Sequence, residues 1–203
     1  MNRTGLRRAM KKLALADEDV ARALESVGPP EPRVRPAGFP TLLSTIVGQQ
    51  ISTEAARTIL GRVEALLADS SPEALLRLRN ATLRKAGMSM RKVEYAKGLA
   101  KAIVNGEFDV DGLADLDDED AIEAITALRG FGRWSAEIYL MFSLGRKDIF
   151  PSGDLALRVA LGRLKGMEER PTAGQADELV AHWSPYRSAG ALFLWRYYRG
   201  APT

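Results

Sequence analysis

"LRGFGRWSAEIYL" runs from Leu128 to Leu140, with Gly130 and Gly132 on either side of Phe131 and a tryptophan close behind at Trp134. Glycine accepts positive φ and lets another backbone come close. Upstream, "DEDAIEAITALRG" is acidic in its first turn, which suits the start of a helix. Downstream, apolar residues recur at helical spacing. The stretch therefore reads as a helix ending near Leu128, a tight turn, and a second helix beginning near Arg133. Such a turn presents main-chain N–H groups at the start of the second helix, a geometry that favours an anion such as a DNA phosphate. Arg129 and Arg133 flank it. The competing reading is a plain turn between packed helices with Phe131 in the core, and the short motif alone leaves both open.

Working outward, the rest of the chain is helical almost throughout. "LLSTIVGQQIS" and "STEAARTILGRVEALLA" carry apolar residues at three- and four-residue spacing, with Ser52 or Thr53 available as a cap. "SPEALLRL" opens with Ser71 as cap and Pro72 at the first helical position. "RKVEYAKGLAKAIVNG" stops at Asn105-Gly106, a helix-ending pair. "AGQADELVAHW" and "SPYRSAGALFLWRYY" complete the set. No alternating strand pattern of useful length occurs, so the expected class is all-α. The segment from Gly28 to Pro40, with five prolines in thirteen residues, is the best linker candidate.

The chain has 203 residues, enough for one domain or two small lobes. At 46% hydrophobic it can bury a sizeable core. It has no cysteine, which excludes disulfides, thiolate zinc sites, iron–sulfur clusters and cysteine nucleophiles. Its single histidine, His182, stands beside Trp183 with no evident partner, which argues against a histidine-rich metal site or a Ser-His-Asp triad. No apolar run approaches membrane-spanning length, and "MNRTGLRRAMKK" lacks the apolar region of a signal peptide, so a cytoplasmic protein is expected. Net charge is +3, from 29 basic and 26 acidic residues. Nine of those acids lie between Glu107 and Glu123 with no base among them, leaving 29 bases against 17 acids elsewhere. That separation points to a basic surface for a polyanion with an acidic patch apart from it; an ordinary solvated surface is the alternative.

Beyond the turn lies "FSLGRKDIFPSGDLALRVALGRL", in which Gly145, Pro151, Gly153 and Asp154 precede another apolar-periodic stretch. Together with the glycine turn, this arrangement resembles the helix-hairpin-helix, Gly/Pro-loop, Asp signature of a DNA glycosylase superfamily. It is most similar to the bacterial 3-methyladenine DNA glycosylase II family. Four blocks carry the resemblance, in the family's order: "FPTLLSTIVGQQIS", "LRGFGRWSAEIYLMF", "DIFPSGDLALR" and "SPYRSAGALFLWRYY". They span the chain from about Phe39 to Arg199.

The resemblance implies two helical lobes flanking a DNA-binding cleft. Residues 38–146 would form the lobe with the hairpin, and residues 1–37 and 147–203 a second lobe built from both chain ends. It implies that the chain is a DNA glycosylase of base excision repair, acting as a monomer on double-stranded DNA that contains alkylated bases. Such an enzyme flips the target out of the duplex and cuts the bond between base and deoxyribose. Asp154 would be the catalytic carboxylate, stabilising the oxocarbenium-like sugar and orienting or deprotonating water. Its other reading is a helix N-cap, and the two roles are compatible.

An alkylated purine is cationic and leaves as a neutral molecule, so it needs no general acid. It can be selected by stacking on electron-rich rings. Trp134 and Trp195 are the ring candidates for the base pocket, each with a core reading beside it. Ile138 stands where some relatives have tyrosine, and Gln49 borders the same pocket. Gln50 matches the position of the wedge that fills the gap left by the flipped base; exposed or capping glutamines are the alternative. The hairpin, Gly130, Phe131, Gly132 and Arg133, would hold a phosphate. In related hairpins carbonyls bind a monovalent cation, and the matching ones here are those of Thr126, Leu128 and Phe131. No other cofactor is expected.

Lyase-competent members carry a lysine at the position of Trp134. An indole cannot form a Schiff base with the sugar. A bifunctional oxidised-base glycosylase/lyase is therefore disfavoured. A non-catalytic hairpin module that only binds DNA is the other alternative, and it has no need of Asp154.

Overall fold

A computed structural model describes residues 1–200 of the chain. Twelve α-helices follow one another among these residues. They are α1 (Arg3–Ala16), α2 (Glu18–Val27), α3 (Phe39–Gly48), α4 (Thr53–Glu64), α5 (Pro72–Arg77) and α6 (Asn80–Lys85), then α7 (Met90–Val104), α8 (Asp118–Thr126), α9 (Arg133–Phe142), α10 (Leu155–Leu164), α11 (Ala173–Leu179) and α12 (Arg187–Gly200). Two short 3-10 turns, Gly112–Ala114 and Ala181–Trp183, complete the order. Among the described residues there is no strand, as the periodicity predicts. No helix among them is long and apolar enough to cross a membrane.

The helix starts are set by side chains that satisfy orphan N–H groups. Ser52 caps α4 through the Ala55 N–H, Ser71 caps α5 through Ala74, and Asp117 caps α8 through Asp120. Asn105 and Gly106 close α7, with Gly106 at φ 72°. The proline-rich segment from Gly28 to Gly38 is not helical, and α3 begins with Pro40 in its first turn. In "SPYRSAG", unlike "SPEALLRL", the proline lies before the helix rather than in its first turn, since α12 begins at Arg187.

The chain divides into two compact units, Arg35–Tyr139 and the two chain ends, Met1–Val34 with Leu140 onward. The sequence-based boundaries were 37/38 and 146/147. The second division in the structure falls inside α9, because the helix runs on past Tyr139 without a break. The last three residues of the expected second lobe, 201–203, lie outside the described residues.

The unit Arg35–Tyr139 packs α3, α5 and α7 around Leu42, Ile46, Leu75, Leu83, Leu99 and Ile125, all of them fully buried. Lysines tie its helix ends together. Lys92 Nζ donates to the Val47 carbonyl at the end of α3, and Lys97 Nζ to the carbonyls of Leu76 and Leu78. Burial lowers the pKa of both ammonium groups.

The unit of the chain ends packs α1 and α2 with α10 and α12 around Leu6, Met10, Leu13, Leu161, Trp183 and Phe193. A polar cluster sits within it, and its side chains come from positions far apart in the chain. Asp17 caps α2 and accepts from the N–H groups of Asp19 and Val20. The same carboxylate takes Lys165 Nζ at 2.7 and 2.8 Å and Trp183 Nε1 at 2.8 Å, and His182 Nε2 lies 3.0 Å from it. Its side chain is only 2% exposed. Burial disfavours the charge, but Lys165, Trp183 and His182 outweigh that and hold the Asp17 carboxyl at about 2. His182, which has no evident partner in the sequence, is thus paired with an aspartate 165 residues away.

Candidate DNA-binding and catalytic site

The turn between α8 and α9 is closed by the Phe131 N–H, which donates to the Leu128 carbonyl at 3.2 Å. Gly130 is its third residue, with φ 100°, as a type II turn requires. A Cβ on Gly130 would stand 2.4 Å from the Tyr95 ring, so packing as well as φ selects glycine there. Gly132 is different. Its φ is not in the left-handed region, and a Cβ placed on it would meet nothing within 4 Å. Of the two glycines only Gly130 uses positive φ. At Gly132 the open space faces outward.

Gly132 also acts as the cap residue of α9. Its carbonyl accepts the N–H groups of Ser135 and Ala136 at 2.9 and 3.2 Å. Having no side chain, it cannot satisfy the helix's own first donors. The N–H groups of Gly132 and Arg133 find no acceptor among the described residues. Both residues are exposed, while Phe131 is buried beneath the turn.

The side chains around the turn are engaged within the protein. Arg133 makes a two-pronged ion pair with Glu119, at 2.6 and 2.9 Å, and donates to the buried Glu137 at 3.0 Å. The Glu119 hydrogen bonds, joined by the charges of Glu119 and Glu137, raise the pKa of Arg133, and the hydrogen bonds from Arg133 lower that of Glu119. Arg129 pairs with Glu94 at 2.5 Å. The acidic run is thus not a patch apart from the hairpin, because Glu119 reaches across fourteen residues to hold Arg133. What the turn offers outward is main-chain N–H rather than guanidinium.

The carbonyls assigned to a monovalent cation are those of Thr126, Leu128 and Phe131. The oxygens of Thr126 and Phe131 meet no donor among the described residues, and that of Leu128 accepts the Phe131 N–H. A set of neutral carbonyl oxygens suits a hard cation.

The "GQQIS" segment stands in the same unit. Gln49 ends α3 and turns inward, where its Nε2 donates to the Gly130 carbonyl at 2.7 Å. Its amide is thereby committed to the hairpin. Gln50, next in the chain, is exposed and holds φ 56°, a left-handed conformation that costs a non-glycine residue about 1–2 kcal/mol. Ile51 beside it is 37% exposed, an aliphatic neighbour to the amide that the wedge reading passed over.

Trp134, on the first turn of α9, is 47% exposed, whereas Ile138 and Met141 on the same helix are buried. The core stripe therefore begins after Trp134, and its indole is not core. Ile138 is a core side chain at 8% exposure.

In the unit of the chain ends, Asp154 caps α10, its Oδ1 accepting the Leu157 N–H at 3.0 Å. It follows Pro151, Ser152 and Gly153 in a tight turn, with the Asp154 N–H bonded to the Pro151 carbonyl at 2.9 Å. Leu155, immediately after it, is 55% exposed, an apolar side chain at a helix start that periodicity gave no reason to single out. Trp195 on α12 is half-buried, with Phe142 against it at 5.9 Å between ring centroids.

A substitution at Gly132 tests the hairpin without disturbing the fold. Gly132→Val should stay folded and melt only slightly below the parent, since valine at the helix cap costs about 1 kcal/mol, yet bind undamaged and abasic-analogue duplexes about tenfold more weakly, the worth of one charge-assisted hydrogen bond. Gly130→Ala should instead lower the melting temperature, through φ and the Tyr95 contact. Unchanged affinity of a folded Gly132→Val protein would make the hairpin only a turn.

Comparison with known proteins adds the following. Residues 43–185 match the model of the HhH-GPD superfamily base excision DNA repair proteins. The chain is 29% identical over 200 residues to DNA-3-methyladenine glycosylase 1 of Schizosaccharomyces pombe, covering 95% of this chain and 88% of that protein. It superposes on the crystal structure of a DNA-3-methyladenine glycosidase from Bacillus halodurans with a TM-score of 0.85 and 34% identity, covering 94% of this chain and 88% of the other. It also superposes on the Schizosaccharomyces pombe 3-methyladenine DNA glycosylase in complex with abasic DNA, with a TM-score of 0.84 and 28% identity, over 96% and 98% of the two chains.

Proposed function

The chain belongs to the HhH-GPD superfamily of base excision DNA repair proteins, and from that premise we propose that it is a monofunctional DNA glycosylase that removes alkylated, cationic purines such as 3-methyladenine from duplex DNA. The observation that carries this reading is the hairpin with its neighbour: outward N–H groups at Gly132 and Arg133 without an internal acceptor, followed at once by an exposed indole at Trp134. The N–H groups suit a phosphate. The indole offers a π face to a cationic base, and it occupies the position at which lyase-competent relatives carry an amine.

In this mechanism Gln50 enters the duplex as the base leaves it. The hairpin holds the strand through backbone dipoles. The carbonyls of Thr126, Leu128 and Phe131 would hold a monovalent cation, which supplies positive charge beside the phosphate. Asp154 faces the sugar with a negative charge as the glycosidic bond lengthens, and takes up a proton from the attacking water. The cationic base departs neutral, so the cleavage needs no general acid and no further cofactor. The protein acts as a monomer.

The test is a release assay over duplexes carrying 3-methyladenine, 7-methylguanine, hypoxanthine or 8-oxoguanine, with borohydride added in parallel. Release of an alkylated base, leaving an uncut abasic strand and no protein–DNA crosslink, is the expected result. A borohydride-trapped crosslink would move the protein to the glycosylase/lyases. Binding without release from any duplex would leave only the DNA-binding module.

Trp134→Ala should slow release of 7-methylguanine about tenfold, the worth of a desolvated cation–π contact, while changing duplex affinity far less. Because the indole is half exposed, its melting curve should stay close to that of the parent. A large loss of stability would return Trp134 to the core.

A further inference from the structure

The loop that leads to Asp154 is fastened to the first turn of α12, and Asp148 is the centre of the fastening. Its carboxylate takes the Arg187 guanidinium on two prongs, Nε to Oδ1 and Nη2 to Oδ2, both at 2.9 Å. It also accepts the Arg187 N–H at 3.2 Å and the Ser184 hydroxyl at 2.8 Å. Ser188, only 3% exposed, adds to it from the next position. Its Oγ accepts the Ile149 N–H at 3.0 Å and has two carbonyls to donate to, that of Arg146 at 2.9 Å and that of Ile149 at 3.2 Å. Its own N–H donates to the Lys147 carbonyl at 3.0 Å. Each residue from Arg146 to Ile149 is thus bonded to α12 or to the turn before it.

Between this latch and Asp154 the chain has little freedom. Ile149, Phe150 and Pro151 are buried, and the Phe150 ring stands edge-on to Trp183 at 6.2 Å between centroids. The N–H groups of Ser152 and Asp154 close back on the carbonyls of Phe150 and Pro151. Beyond Asp154, α10 packs along α12. The loop therefore has both its ends on one helix, and that helix carries Trp195 about two turns past the latch. A forked arginine–carboxylate pair fixes direction as well as distance. Displacement of a reacting group by about 1 Å can cost about a hundredfold in rate.

We propose that Asp148, latched to Arg187, is a positioning residue for base release: it holds the loop so that the Asp154 carboxylate keeps its place relative to α12 and the Trp195 ring. The inference rests on the glycosylase reading above and on Asp154 as its carboxylate. Asp148 acts through Asp154 and not on the substrate. Two of the blocks that carry the family resemblance meet in this latch. "DIFPSGDLALR" contributes Asp148, and "SPYRSAGALFLWRYY" contributes Ser184, Arg187 and Ser188, side chains to which the chemistry at Asp154 and Trp195 gives no other part.

The experiment is a double-mutant cycle. The parent, Asp148→Asn, Asp154→Asn and the double variant are compared in single-turnover release of 7-methylguanine at saturating protein, corrected for spontaneous loss. Affinity for an abasic-analogue duplex and a melting curve are measured on each. Asparagine keeps one acceptor for the fork and turns an NH₂ group toward the other prong, so the latch loosens without leaving a cavity. Asp148→Asn should slow release about tenfold or more and change affinity less than about twofold. In the Asp154→Asn background the same substitution should slow the residual release less than about twofold, because the carboxylate it positions is gone. Equal slowing in both backgrounds, or loss of affinity in step with release, would make the latch a general prop and overturns the proposal. Parental release by a folded Asp148→Asn protein overturns it too. Arg187→Lys, which keeps the charge and loses the fork, carries the same cycle if Asp148→Asn is unfolded at the assay temperature, and parental release there counts equally against the latch. If the parent releases no base, the glycosylase reading falls first. If Asp154→Asn releases at the parental rate, the role of Asp154 falls first. In both cases the latch falls with it.

Discussion

Asp154→Asn is expected to slow base release by at least about a hundredfold while leaving affinity for damaged duplexes largely intact. The side chain does two things that asparagine divides. As a cap, it accepts the Leu157 N–H at 3.0 Å, and an asparagine oxygen caps a helix about as well. As a carboxylate, it places a full negative charge at a helix start, and asparagine loses that charge. The variant should therefore fold and bind. If the sugar develops positive charge as the base departs, only the charge loss reaches the transition state. Single-turnover release and equilibrium binding, measured on the same preparation, check both halves. Near-parental release by a folded variant would remove Asp154 from the chemistry and leave it as a cap.

A second large effect should appear far from any chemistry. Asp17→Ala is expected to destabilise the protein by about 3–5 kcal/mol, because one substitution removes the nearest partner of a largely buried ammonium, the acceptor of a buried indole N–H and a helix cap. Lys165 is 17% exposed and would keep only Asp19, at 2.9 Å, Trp183 Nε1 would lose its acceptor, and α2 would lose its cap. A urea melt checks this, and a loss below about 1 kcal/mol would show the cluster to be incidental. The acid limb of the stability profile should carry the same signature. The folded carboxyl sits at about 2, below its ordinary value of 3.8. Its stabilisation is therefore complete above about pH 4 and is lost as pH falls toward 2. In the parent this part amounts to about 2 kcal/mol. It should be missing from the pH dependence of Asp17→Ala.

Much of the fold was legible because helix signals are local. Ser52, Ser71 and Asp154 each cap the helix that follows, and each is recognisable from its immediate neighbours. The glycine turn was legible for the same reason. Pairings made by tertiary packing leave no such trace. Nothing near His182 announces Asp17, and nothing near Arg133 announces that Glu119 and Glu137 will occupy its guanidinium. Trp134 lies on a helical face with Ile138 and Met141, so periodicity could not say whether its indole is core or surface; the position at the very start of α9 decides it. Nothing in a linker of prolines announces that the folded chain brings the Arg33 guanidinium over the rings of Phe142 and Trp195, 6.0 and 5.8 Å from their centroids.

The amide of Gln49 has a mechanical meaning. A wedge pushed into a stack of bases is pushed back, and the recoil has to go somewhere. Gln50 alone, on a turn between two helices, would yield. Its chain neighbour is anchored at 2.7 Å to the Gly130 carbonyl, inside the loop proposed to hold the strand. In the proposed mechanism thrust and reaction would then close on each other through a single amide, over a path a few residues long. The load would not cross the core of the unit, and the push of the wedge would tighten the same loop that holds the DNA.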